Sequence, residues 1–60
     1  MNSKEVVRIL KKDGWKLIRV KGSHHVFIHD VKKGIVVVPM HNKDLAPGTL
    51  ISIYKQAGLK

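Results

Sequence analysis

The spacing of apolar side chains predicts a helix near each end of the chain. In residues 4–13 the apolar positions recur at helical spacing, at Val6, Val7, Ile9 and Leu10. Ser3 is the expected N-cap of this helix, and Gly14 follows its last turn, where glycine commonly ends a helix. The second helix is predicted to begin near Pro47, a residue suited to a first turn, and to end at Gly58.

Extended patterns rich in β-favouring residues occupy the middle of the chain. They predict three strands, at residues 15–21, 24–30 and 35–38. Turns at 21–23 and 31–34 separate the strands, and residues 40–46 are expected to form a loop. Short connections favour antiparallel pairing. We therefore expect one α+β domain over residues 1–60, with the order α-β-β-β-α, a three-stranded antiparallel sheet and both helices on one of its faces.

The charge of the chain indicates a polyanionic partner. Twelve Lys and Arg against four Asp and Glu give a formal net charge of +8 on 60 residues. Such a field favours nucleic acid over the simpler alternative of a lysine-rich solvated surface. One concentration of charge is the face of the first helix opposite its apolar face, formed by Lys4, Arg8, Lys11 and Lys12. Charge alone does not separate RNA from DNA, or binding from cleavage.

Composition also removes several classes of protein. The chain has no cysteine, which excludes disulfide bonds and Cys-ligated zinc sites within it. No apolar run approaches the roughly 18–20 residues that span a bilayer, and the N-terminus lacks the apolar core of a signal peptide. We therefore expect a cytoplasmic protein without a membrane contact. A domain this small buries little surface, so a partner protein is one remaining source of stability.

The histidines are the residues best suited to chemistry. Cleavage of RNA without a metal needs a base for the ribose 2′-OH, an acid for the leaving 5′-oxygen, and cations for the phosphate. His24 follows the turn residues Gly22 and Ser23, and Arg19 and Lys21 lie just before that turn. Ser23 could donate a hydrogen bond to a phosphate. The four acidic residues are too few and too scattered for a two-metal nuclease centre.

Alternatives remain open for each of these residues. His24 and His25 must point to opposite faces of a strand, and the pattern leaves open which face is exposed. Each could be an ordinary surface or core-edge residue. His25, His29 and His41 could instead form a three-histidine zinc site, although no well-placed carboxylate supports it. The aromatic residues Trp15 and Tyr54 are expected to pack in the core rather than to stack on bases.

The order of several short motifs resembles the HicA toxin family over nearly the whole chain. The most specific combination is the turn Gly22-Ser23-His24 with Gly48-Thr49-Leu50 and Gln56-Ala57-Gly58-Leu59. Gly14-Trp15, Val38-Pro39 with His41, and Lys43-Asp44-Leu45 occur in the same order.

The resemblance implies a fold like that of double-stranded-RNA-binding domains and an activity as an mRNA interferase without a cofactor. It implies that the histidine after Gly-Ser, here His24, is catalytic. It also implies a HicB-type antitoxin that covers this histidine, and a contact with DNA only through that antitoxin. Independently of the resemblance, we expect six residues to contact RNA: Arg19, Lys21, Ser23, Arg8, Lys11 and Lys12. The alternative function is a non-catalytic double-stranded-RNA-binding module, although 60 residues leave little room to span about 16 base pairs.

Overall fold

A computed structural model describes residues 1–40 and 44–59 and contains the predicted elements in the predicted order. They are α1 (Ser3–Lys12), β1 (Trp15–Lys21), β2 (His24–His29), β3 (Val36–Pro39) and α2 (Pro47–Ala57). The strands form one antiparallel sheet in the order β1-β2-β3. The α+β class and the α-β-β-β-α order are confirmed. Within these residues, neither helix is long and apolar enough to cross a membrane.

The first helix begins one residue earlier than its sequence predicts. Asn2, not Ser3, is the N-cap: its side chain accepts from the backbone N–H of Glu5 at 2.9 Å, and the Glu5 carboxylate accepts from the Asn2 N–H at 3.0 Å. This reciprocal pair satisfies two backbone donors at once. Ser3 is buried instead, and its hydroxyl donates to the Pro39 carbonyl at 2.8 Å. The N-terminal end of α1 is thereby attached to the end of β3.

Both helices pack on the same face of the sheet. The core joins Val6 and Leu10 of α1 to Phe27 of β2 and to Ile53 of α2, all with 1% exposure or less. Trp15 is buried in the same cluster, as predicted. Tyr54 is only half-buried, because its hydroxyl reaches the rim and donates to the Met1 sulfur.

The sheet differs from its prediction by one residue in two places. β2 ends at His29 rather than at residue 30, because Asp30 leaves the ladder and pairs with Lys16. β3 runs from Val36 to Pro39, one residue later than predicted. A proline is tolerated there because β3 is an edge strand, where a missing backbone donor costs little. The predicted start of α2 at Pro47 and its end at a left-handed Gly58 are confirmed.

Candidate active site on the open sheet face

A two-residue turn fixes the start of β2. Gly22 has φ +61° and Ser23 has no positive φ, which are the signs of a type II′ turn, the form with glycine in its first central position. The turn places Lys21 directly opposite His24. The Ser23 carbonyl accepts from the Met40 N–H at 2.7 Å, which ties the turn to the end of β3. His24 therefore lies at a well-supported corner of the sheet.

The structure settles which face each neighbouring histidine occupies. Phe27 is fully buried under the helices, so the odd-numbered residues of β2 face the helices and the even-numbered residues face away. His24 is therefore on the open face of the sheet, where it is exposed. His25 lies on the helix side, half-buried, opposite Val20 and Val38. Only one of the two adjacent rings is presented to solvent beyond the sheet.

A β-bulge in β1 brings cations to the face of His24. Leu17 pairs with Phe27 on the helix side, but the next paired residue is Arg19, opposite Val26, so Ile18 is the extra residue. Strict alternation from Trp15 would have turned Arg19 and Lys21 toward the helices. The bulge reverses the alternation of side chains for the residues that follow Ile18 in β1. Arg19 and Lys21 lie on the open face, exposed, beside His24.

A third cation continues this line. Lys16 pairs with Ile28 and therefore also lies on the open face. We call Lys16, Arg19 and Lys21 the β1 cation row. The Lys16 Nζ donates to the Asp30 carboxylate at 2.9 Å, and this hydrogen bond lowers the pKa of Asp30 below its ordinary value. Lys16 was not predicted from the sequence as a site residue, although a signal was present. The apolar residues of β1 change from odd-numbered to even-numbered positions between Leu17 and Ile18, which indicates a bulge.

His29, at the other end of β2, holds the fold together. Its Nδ1 accepts hydrogen bonds from the backbone N–H groups of Val31 and Lys32, both at 3.0 Å. Nε2 therefore carries the proton and donates to the Asp13 carbonyl at 2.8 Å. The ring also meets Trp15 edge-on, with centroids 5.1 Å apart.

This arrangement argues against the zinc alternative. Both ring nitrogens of His29 are engaged, so the ring could bind a metal only after those hydrogen bonds broke. His41 and Lys43 lie outside the described residues. Across the ranges 1–40 and 44–59, no three His, Asp or Glu side chains gather closely enough to hold a metal ion.

An ion pair beside His29 joins both helices to the β2–β3 loop. Lys32 donates from Nζ to the Asp13 carboxylate and, at 3.0 Å, to the Ala57 carbonyl at the end of α2. The hydrogen bond from Lys32 lowers the pKa of Asp13 below its ordinary value. Asp13 also accepts from the Trp15 indole at 3.2 Å. The carboxylate is therefore held in its ionised form by the groups that surround it.

The structure does not bring the helix cations together with His24. The side chains of Arg8, Lys11 and Lys12 are exposed on α1, whose buried side faces the sheet, so they lie on the outer surface of the helical layer. We call these three residues the α1 ridge. Its C-terminal end adjoins Asp13 and hence His29, which is about 17 Å along β2 from His24 at ~3.3 Å per residue.

The fold and the site define a small α+β domain with a basic open sheet face and an exposed histidine, His24, at its corner. Residues 3–59 match the family model described as HicA toxin of bacterial toxin-antitoxin systems, so the chain belongs to the HicA toxin family. The resemblance seen in the sequence is confirmed, and the protein is a toxin of that kind of system. The comparison with curated proteins found no match.

Proposed function

We propose that this toxin is an endoribonuclease that cleaves mRNA without a metal ion, with His24 as the catalytic residue. One observation carries the proposal: an exposed histidine shares the open sheet face with Arg19 and Lys21, and a bulge and a tight turn fix them in place. Histidine is the side chain whose ordinary pKa suits proton transfer near neutral pH. The adjacent cations suit a phosphate.

The arrangement supports cleavage by the ribose itself. The 2′-oxygen attacks the adjacent phosphorus, the bond to the 5′-oxygen breaks, and a 2′,3′-cyclic phosphate and a 5′-hydroxyl result. His24 carries out one of the two proton transfers, taking the proton of the 2′-OH or protonating the leaving 5′-oxygen, and solvent water carries out the other. Arg19 and Lys21 stabilise the negative charge that develops on the phosphoryl oxygens, and Ser23 lies in the same turn for a further hydrogen bond.

The surroundings favour chemistry by these groups rather than by a resident metal. Two of the four acidic residues, Asp13 and Asp30, pair with lysines at the His29 end of β2, away from His24. His29 is committed to the backbone on both ring nitrogens. Among the described residues, those at the corner of the sheet with a side chain that can bind a ligand strongly are a histidine and cations, which is a set suited to a phosphate and not to a divalent cation.

The proposal extends to the partner and the compartment. A HicB-type antitoxin of acidic character would complement the charge of +8 and cover the open face, which would block access of RNA to His24. Contact with promoter DNA would then occur through the antitoxin. Because the substrate is mRNA, the toxin would act in the cytoplasm.

The test compares two adjacent histidines. His24→Ala should lower the rate of RNA cleavage by about 10²–10⁴-fold, the usual range for one general acid or base, with an unchanged circular dichroism spectrum. His25→Ala is the matched control because that ring lies on the opposite face; it should keep most of the cleavage. Both are measured on the same RNA, with and without EDTA.

Three outcomes would contradict the proposal. Full cleavage by folded His24→Ala would remove this residue from the mechanism. Loss of wild-type cleavage in EDTA, with recovery on adding Zn²⁺ or Mg²⁺, would make the enzyme metal-dependent. Binding of RNA by wild type without any fragments on a gel would leave the non-catalytic double-stranded-RNA-binding module as the function.

A further inference from the structure

We propose that a single RNA strand follows β1 across the open face. Lys16 then forms a phosphate-binding subsite distant from His24, and Asp30 partly neutralises its charge. The inference rests on the proposed function and extends it from the reacting phosphate to the path of the substrate. It gives a role to the Lys16–Asp30 pair, which the cleavage chemistry does not use.

The geometry of the row supports a strand-like ligand. Lys21, Arg19 and Lys16 are opposite His24, Val26 and Ile28, which are successive residues of one parity on β2. Neighbouring cations of the row are therefore separated by about 6–7 Å along the sheet, two residues of strand rise. This step is similar to the separation of successive phosphates in an extended single strand, so one strand could meet one cation per phosphate.

The chemistry at His24 also favours a single strand over a duplex. Attack by the 2′-oxygen needs that oxygen, the phosphorus and the leaving 5′-oxygen to align. A regular A-form helix holds them out of line, whereas a single strand drawn over a flat basic surface can rotate into line. The open face is about 17 Å long from His24 to the level of His29, which is short for a module that binds two grooves of duplex RNA.

The strand would be held through its backbone rather than its bases. Within the residues that the structure describes, the Trp, Phe and Tyr side chains lie elsewhere: Trp15 and Phe27 are buried, and Tyr54 is on α2. Apart from His24 at the reacting phosphate, the exposed groups of the open face that can bind a ligand strongly are the cations. Stacking on Trp, Phe or Tyr rings, which many single-strand-binding proteins use, is therefore not available there, and affinity should depend weakly on base sequence.

The Lys16–Asp30 pair suits a subsite that a phosphate can enter. Both side chains are largely exposed, at 65% and 71%, and exposed ion pairs are weak because water screens them. A phosphate could therefore replace the Asp30 carboxylate on Lys16. Asp30 would then oppose RNA at this end of the row, whereas Arg19 and Lys21 have no such competitor among the ion pairs of the described residues.

The experiment measures binding and length dependence together. Wild type, Lys16→Ala, Asp30→Asn and the control Lys55→Ala, which removes an equal charge from α2, are titrated with uncleavable 2′-O-methyl RNA. One oligonucleotide has about six nucleotides and the other is a dinucleotide. Salt is varied, and cleavage of a long RNA is measured separately on the same preparations.

Lys16→Ala should weaken binding of the longer RNA about tenfold and leave binding of the dinucleotide unaffected. For the longer RNA, the slope of log affinity against log salt should decrease in magnitude by about 0.7, the value for one lost phosphate contact on a single strand. Asp30→Asn should strengthen binding of the longer RNA only. Lys55→Ala should change both oligonucleotides equally and slightly.

The two proposals can fail separately. If the wild type cleaves RNA but Lys16→Ala behaves like Lys55→Ala, the RNA path is wrong and the proposed function stands. If the wild type does not cleave RNA, the proposed function fails, while the binding titrations still decide the path. If Lys16→Ala loses affinity for an acidic partner protein and not for RNA, the row is a protein-binding surface and the inference is overturned.

Discussion

The two ends of β2 carry the same residue in opposite situations. His24, at the start of the strand, is exposed on the open face beside Lys21 and Arg19. His29, at the end, uses Nδ1 for two backbone donors and Nε2 for the Asp13 carbonyl. The difference shows that the groups around an imidazole decide whether the ring is fixed within the fold or exposed to solvent. We therefore expect changes near His29 to alter stability, and changes near His24 to alter RNA cleavage.

The largest expected effect on stability is at the His29 end. A Cβ on Gly14 would lie 2.7 Å from the His29 Nε2, and Gly14 has φ +105°, which side chains rarely adopt. Gly14→Ala should therefore destabilise the fold by about 3 kcal/mol, since backbone strain alone costs roughly 1–3 kcal/mol. Gly48→Ala is the control, because a Cβ there meets nothing within 4 Å. Thermal unfolding of both variants checks the prediction; equal melting temperatures would contradict it.

The next effect concerns the bulge at the His24 end. With the turn unchanged, deletion of Ile18 would make β1 regular and keep Arg19 on the open face, whereas deletion of Val20 would turn Arg19 toward the helices. Both deletions remove one exposed β-branched residue. Loss of one charge-assisted contact of about 1.5–3 kcal/mol should slow RNA cleavage by roughly ten- to a hundredfold in the Val20 deletion.

The deletion of Ile18 should stay much closer to the wild-type rate. The matched lengths make the pair informative, since the two variants differ in the face that Arg19 occupies. Equal rates in two folded deletion variants would show that the bulge does not matter for placing this cation.

A smaller effect is expected on the α1 ridge. Lys11→Ala combined with Lys12→Ala should weaken RNA binding severalfold at low salt, with a far smaller change in turnover at saturating RNA, because these residues lie on the other side of the sheet from His24. Steady-state kinetics at two salt concentrations separate the two effects. A collapse of turnover would place the ridge at the reacting phosphate.

The smallest effect is a dependence of stability on pH at the His29 end. The pKa of Asp13 is lowered from its ordinary value of 3.8, mainly by Lys32. Its ionised form therefore stabilises the fold above that ordinary value, and the contribution disappears as the pH falls through the lowered value. Asp13→Asn should be less stable than wild type near neutral pH, and the gap should narrow in acid. Melting curves measured down the acid range would show a constant gap if this account is wrong.

Most of the fold could be predicted because each element depends on local signals. Pro47 and Gly58 define the ends of α2, and apolar spacing defines α1 and the strands. The N-cap was missed by one residue because Asn2 and Ser3 are both good caps, although the spacing of Asn2 and Glu5, which form the reciprocal pair, was a signal for Asn2.

The site could be predicted only in part. The position of His24 after Gly22-Ser23 was visible, but its face was not, because β2 has apolar residues of both parities. The burial of Phe27 decides that question, and burial depends on the helices. The role of His29 could not be predicted either, since it depends on a carbonyl 16 positions away in sequence.

The position of β1 at the edge of the sheet has a consequence for the solution behaviour of the toxin. An edge strand presents unpaired backbone groups that can join another edge, and charged residues on such strands oppose this kind of self-association. Like charges in the β1 cation row would repel a second copy approaching along the same edge. We expect variants that neutralise the whole row to self-associate more strongly than the wild type at the same concentration.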